Sequence, residues 1–179
     1  AMGPFAVPNW VTVLRAYGAN VLDDTGTKAA FNTPAGLEAT RIWQAIVPQD
    51  SQPRLFLDRQ CGMIWMGPWW RTSFSDPKMP VKVGPPLKGS VRSTVVGYQW
   101  DYVVSKQAAP EQKAVAWDYA KYVSTRQAQI VFWQEVGHMP RSKSAYEDPI
   151  LKKDEFLQSF AKYLPDAEIF YSIIPEWGA

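Results

Sequence analysis

Residues that carry metal and redox chemistry are nearly missing from this chain. Its 179 residues include one cysteine, Cys61, and one histidine, His138, which excludes an internal disulfide framework, any paired-cysteine redox motif and most zinc constellations. No run of about 20 apolar residues is present to span a bilayer as a helix. Nor does a basic segment leading into an apolar one open the chain as a signal peptide would. Glycine-rich phosphate loops of the Gly-x-Gly-x-x-Gly or Walker kind are lacking too. Charge of a single sign is just as scarce. With 19 basic and 17 acidic residues the net charge is +2, and no five like charges run together to track a phosphate backbone, so nucleic acid is not an expected partner. The opening Ala1-Met2-Gly3 reads as an expression scar, which makes the chain an excised segment and leaves its parent's export signal open.

Aromatic surface is what the chain has in quantity. Hydrophobic residues make up 46% and aromatic residues 14%, enough for a folded protein with a real core. Three of the nine tryptophans lie in CGMIWMGPWWR, Cys61 to Arg71. The stretch Gly62 to Met66 is apolar on both faces, as a strand covered on both sides would be. Pro68 ends any pairing and fixes the exit direction. Trp69 and Trp70 are then expected on an extended segment pointing opposite ways, one packed inward and the other facing a cleft. Flat rings at a strand end suit the C–H faces of sugars or other apolar ligand surfaces. They suit a protein core equally well.

Around this stretch the pattern alternates. A helix through Trp10, Val13, Leu14 and Tyr17 stops at Gly18, and a short strand with an Asp23-Asp24-Thr25-Gly26 turn follows. Asn32-Thr33-Pro34 opens a second helix with the apolar stripe Leu37, Trp43, Ile46 and Val47, ended by Pro48. Leu55 to Gln60 reads as a short helix and Val95 to Ser105 as a strand. Glu111 to Glu135 reads as the longest helix, closed by Gly137. Residues 145 to 164 are helical, with a weak helix after them. An α/β layer architecture accounts for this order best.

Candidate chemistry is thin outside the aromatics. Tyr98, Gln99, Trp100 and Asp101 follow Gly97 and combine rings with hydrogen-bonding groups, a polar-ligand site or two cross-packed strand aromatics. Asp23 and Asp24 lack the alternating carboxylates and closing glutamate of a calcium loop, so an Asx turn is expected there. No nucleophile elbow is present, His138 has no motif around it, and carboxylates such as Asp23 and Asp101 cannot be paired from sequence. Cys61 reads as an inert buried thiol. No catalytic residue, metal ligand or cofactor is expected.

Four stretches in order, YGANVLDDTGTKAAFNTPAGLEA, then GMIWMGPW after Phe56, then VVGYQWDYVVSK, then EQKAVAWDYAKYVSTRQAQIVFWQEVGHMPRSKSAYEDP, resemble the bacterial extracellular solute-binding proteins of carbohydrate ABC transporters, the group that includes maltose-binding protein. The resemblance runs from about Phe5 to about Pro175 and covers part of the family's length. It implies a periplasmic-binding-protein-like α/β fold of two lobes, of which the chain carries mostly the C-terminal one. On that pattern residues 1–96 belong to the C-terminal lobe, 97–138 cross into the N-terminal lobe and form its helix, and 139–179 return. It also implies a carbohydrate held in the cleft, delivery to a membrane permease, and a parent that is periplasmic or anchored outside the membrane as a lipoprotein.

The family's sugar-stacking tryptophan falls on Trp69 and its aromatic after the crossing glycine on Tyr98. The candidate binding set is Trp69, Trp70, Tyr98, Gln99, Trp100 and Asp101, with Trp10 and Arg141. One departure stands out. Where the family commonly has Phe-x-x-Gly-x-x-Ala-Met, this chain has FLDRQCGM, with Arg59 for the glycine and Gly62 for the alanine. Other readings are a receptor for a polyol, a peptide or a phosphorylated compound, or a glycoside-processing enzyme with two carboxylates about 5 to 10 Å apart. A chain cut from a larger fold is also expected to self-associate through uncovered apolar surface.

Overall fold

The computed structural model describes residues 6–46, 53–74, 79–97 and 101–169. Its elements run α1 (Ala6–Ala16), α2 (Pro34–Ile46), α3 (Pro53–Leu57), a 3₁₀ segment (Pro68–Phe74), β1 (Val95–Gly97), α4 (Pro110–Val123), α5 (Arg126–Val136), α6 (Lys143–Tyr146), α7 (Pro149–Lys152), α8 (Glu155–Ala161), a 3₁₀ turn (Leu164–Asp166) and β2 (Ala167–Ile169). They gather into two compact units. One is drawn from Ala1–Phe56, Gly84–Gln99 and Tyr163–Ala179, the other from Leu57–Val83 and Trp100–Lys162.

In the first unit α1 packs on α2 and on β1. Val11, Val13, Leu14 and Ala16 of α1 are buried together with Ala39 and Trp43 of α2. The expected start of α2 is met by chemistry: the Thr33 hydroxyl accepts the Gly36 amide at 3.1 Å. The expected stripe is met in part: Trp43 is buried and Ile46 half-buried, Leu37 is 54% exposed, Val47 lies outside the described residues, and Gly36 and Ala39 complete the buried face. Close approach at Gly36, where an added Cβ would lie 1.8 Å from the Phe31 carbonyl oxygen, turns the helix so that its small residues face inward.

The Asp23 turn takes the Asx form. Its carboxylate accepts the Thr25 hydroxyl and the Thr27 and Lys28 amides. Chiefly through the Thr25 bond, it is held below the ordinary carboxylate range. Strand β1 pairs with β2 in parallel, Val95 opposite Ala167 and Gly97 opposite Ile169. Two such short strands are marginal alone. Glu168 fastens them, accepting Arg92 at 2.7 Å and Arg15 at 3.3 Å.

The second unit is helical. Its core is Ile130, Trp133, Ala145, Leu151 and Leu157, with Met139, Tyr146 and Phe156 packed against it. Six expectations are corrected by the structure. Gly62 to Met66 is not a strand: Met63 is 87% exposed, and among the described residues no ladder partner pairs with it. An apolar run becomes a strand only where another strand meets it. Cys61 is accordingly half-buried rather than enclosed.

The expected strand Val95 to Ser105 is β1 alone among the described residues, and residues 101–105 are irregular. The single long helix is two, because the Thr125 backbone turns to φ −66 and ψ 151 and its hydroxyl accepts the Ala128 amide, capping α5 afresh. The helix at 145–164 is three short ones, restarted by the Asp148 and Asp154 caps, and the weak helix after it is a 3₁₀ turn leading into β2.

Candidate functional site

Helix α5 organises the second unit's candidate residues. It spans 11 residues, about 16 Å at the usual rise, and two segments dock on it. At its C-terminal end Gly137 sits at φ +74, the left-handed geometry that closes helices and that glycine adopts without strain. An added Cβ there would lie 2.5 Å from the Pro68 carbonyl oxygen and 2.9 Å from the Trp69 Cα. The backbone of the Pro68–Trp69 peptide therefore rests directly on the end of α5.

The 3₁₀ segment Pro68–Phe74 carries both candidate tryptophans, so they lie on a helical turn and the alternation expected of an extended chain does not apply. Trp69 folds back over Gly67, whose missing side chain makes the room: an added Cβ would lie 1.9 Å from the ring. Trp70 contacts Phe74 at 6.0 Å between centroids, and Phe74 meets the edge of Phe156 at 6.4 Å. Trp69 and Trp70 are both half-buried, with part of each indole in the packing and part open. Trp65 is half-buried as well, and among the described residues the fully enclosed tryptophan is Trp133.

A staple missed by the sequence reading holds this turn. Arg71 donates to the Gln134 carbonyl at 2.9 Å and to Asp154 Oδ2 at 3.3 Å. Its guanidinium lies 5.5 Å from the centroid of the Trp133 ring. The same Asp154 oxygen accepts the Trp133 indole N–H at 2.7 Å, while Oδ1 accepts the Leu157 amide and caps α8. Nothing in the sequence ties Arg71 to an aspartate 83 positions away.

The second docked segment is the return after Gly137. Buried Gln129 accepts the amides of Arg141 at 2.7 Å and Ser142 at 2.9 Å, and donates to the Ser124 carbonyl. This fixes Arg141, whose side chain is exposed, reaches the Ser124 hydroxyl at 3.2 Å and lies 6.0 Å from the centroid of the Tyr102 ring. Asp101 precedes that tyrosine and is exposed. Tyr102 in turn meets Tyr119 edge-on at 5.6 Å. Tyr146, pushed up to about 12 by burial, donates to the Pro140 carbonyl.

Of the expected set, Trp69 and Trp70 on one side and Asp101 and Arg141 on the other thus belong to one unit built on α5. Trp10 belongs to the other unit. There its indole donates to Thr40 at 3.2 Å and its ring meets the edge of Phe31. Tyr98, Gln99 and Trp100 lie outside the described residues.

Comparison with known proteins adds the lineage. A Brucella abortus protein described as a binding protein is 23% identical over 178 residues, covering 90% of this chain and 42% of its own length. The maltose-bound MalE3 of T. maritima superposes with a TM-score of 0.71 at 22% identity, over 91% of this chain and 46% of that one. An ABC substrate-binding protein of Listeria monocytogenes in complex with cycloalternan gives 0.71 at 15% identity, over 98% and 48%. The chain thus spans about half the length of these proteins or less, and shares the α/β fold of the two-lobe binding proteins. The family model for bacterial extracellular solute-binding proteins matches residues 6–158, and the chain belongs to that family.

Proposed function

We propose that this chain is the sugar-binding part of a receptor that delivers carbohydrate to an ABC importer. The observation that carries the reading is the Gly67-Pro68-Trp69-Trp70 turn: half-buried indoles on a braced turn supply a flat apolar face with little rotational freedom left to lose on binding. The sugars named with the T. maritima and Listeria proteins support it, since both share this fold. Trp69 is the stacking ring, with Trp70 beside it. Arg141 and Asp101 of the same unit supply hydrogen bonds to hydroxyl groups, and Tyr98, Gln99, Trp100 and Trp10 are further candidate contacts.

On the family pattern residues 1–96 and 139–179 form the C-terminal lobe and 97–138 cross to the N-terminal one. The protein is a binder rather than an enzyme, works in the periplasm or anchored outside the membrane, and hands its ligand to a permease. The test is calorimetry of the protein at its natural length against maltose, cyclic glucans, monosaccharides, polyols and oligopeptides. Saturable heat with a saccharide is expected. Binding of a peptide or a polyol with none of the saccharides overturns the reading.

A further inference from the structure

We propose that Arg71 is the positioning residue of the tryptophan turn, fixing the Trp69 ring through its bonds to the Gln134 carbonyl and the Asp154 carboxylate. The inference rests on Trp69 being the stacking ring of the proposed sugar site. The turn's own backbone bonding defines it weakly. It is a short 3₁₀ run, a form with poor hydrogen-bond geometry, its Trp70 N–H reaches the Gly67 carbonyl only at 3.3 Å, and none of its residues is fully buried. Backbone contact with Gly137 gives it a seat, yet a contact of this kind limits approach without choosing a rotation. Arg71 supplies the rotation. It lies two residues past Trp69 and reaches two other elements: the end of α5, where Gln134 is among the last four residues and its carbonyl has no partner within the helix, and the cap of α8.

Positive charge at a helix C-terminus is favoured by the helix dipole, and the planar fork of Arg71 gives one nitrogen to the carbonyl and another to the carboxylate in a fixed geometry, where lysine has a single nitrogen. Asp154 is itself held by Trp133 and the Leu157 amide. The anchor is therefore fixed before Arg71 reaches it.

Two measurements on the protein at its natural length test this. With 5-fluorotryptophan incorporated and the Trp69 resonance assigned by Trp69→Phe, Arg71→Met is expected to shift or broaden the ¹⁹F signal of Trp69 and leave that of Trp43 in place. An unmoved Trp69 signal overturns the proposal. Calorimetry with maltose then gives the functional arm. Arg71→Met is expected to weaken binding about tenfold, the size of one lost charge-assisted bond, and by less than twofold once Trp69→Ala is already present. An undiminished loss in the Trp69→Ala background overturns the proposal, because Arg71 would then act through another group. If Trp69→Ala binds maltose normally, or maltose does not bind, the stacking role is what has failed, and the ¹⁹F signal alone decides whether Arg71 sets the ring.

Discussion

At the scale of single residues, Arg59 stands where the resemblance would put a glycine, and its backbone shows a cost. Arg59 sits at φ 59, and among the described residues it is the non-glycine residue with positive φ. The backbone takes the left-handed conformation that glycine adopts freely, and the Cβ of Arg59 there costs roughly 1 to 2 kcal/mol. Arg59→Gly is expected to raise stability by about 0.5 to 1 kcal/mol after the added freedom of the unfolded chain is deducted, read as a higher urea midpoint. A lower midpoint would mean that the contacts of the Arg59 side chain outweigh the strain. The two kinds of tryptophan separate at the same scale. Trp69→Ala is expected to weaken sugar binding by about 1 to 3 kcal/mol with little change in ligand-free melting. Trp133→Ala empties an enclosed site and should cost roughly 3 to 5 kcal/mol of stability. A Trp69→Ala protein that melts early and binds normally would reverse the assignment.

At the scale of elements, local signals were readable and long-range ones were not. Thr33 before Pro34, Gly18 after α1 and Gly137 after α5 act within a turn or two of where they stand, and each marks the boundary it announced. Pro68 was read as a boundary for the same reason, although a 3₁₀ turn follows it where an extended segment was expected. The break at Ser124-Thr125 was passed over because the apolar spacing continues across it, although adjacent hydroxyl residues are a capping signal. Thr125→Ala is expected to cost about 1 kcal/mol with an unchanged denaturant slope, and Thr125→Ser to restore most of it. No change in Thr125→Ala would leave the α5 start to packing alone. The strand expected at Gly62 to Met66 and the missed β2 share one cause, since pairing is decided by a second segment that a local reading cannot see. The candidate segments were half legible in the same way: the Gly-Pro-Trp-Trp stretch stood out and the resemblance put a stacking ring at Trp69, whereas Arg71, which ties that stretch to α5, and Gln129, which fixes the Arg141 segment, act across 63 and 12 positions respectively.

At the scale of the whole chain, α4 is the feature that ties composition to behaviour. Val115, Tyr119 and Tyr122, spaced to share one helix face, are 70%, 52% and 65% exposed. An apolar stripe of this size on a chain by itself is an association liability. The isolated chain is expected to form larger species as its concentration rises, and Tyr119→Lys with Tyr122→Lys to keep it monomeric by light scattering. A wild-type chain that stays monomeric throughout removes this role for the stripe. The parallel pair β1–β2 has a different consequence, one of timing. Val95 waits for Ala167, about 70 residues and some 4 to 14 seconds later at ordinary rates of synthesis. Until Glu168 emerges, Arg15 and Arg92 lack the carboxylate that joins them. The helical unit is complete once Lys162 has been made. On the ribosome, then, the unit bearing Trp69 can finish folding while the unit built on α1 and α2 is still waiting for β2.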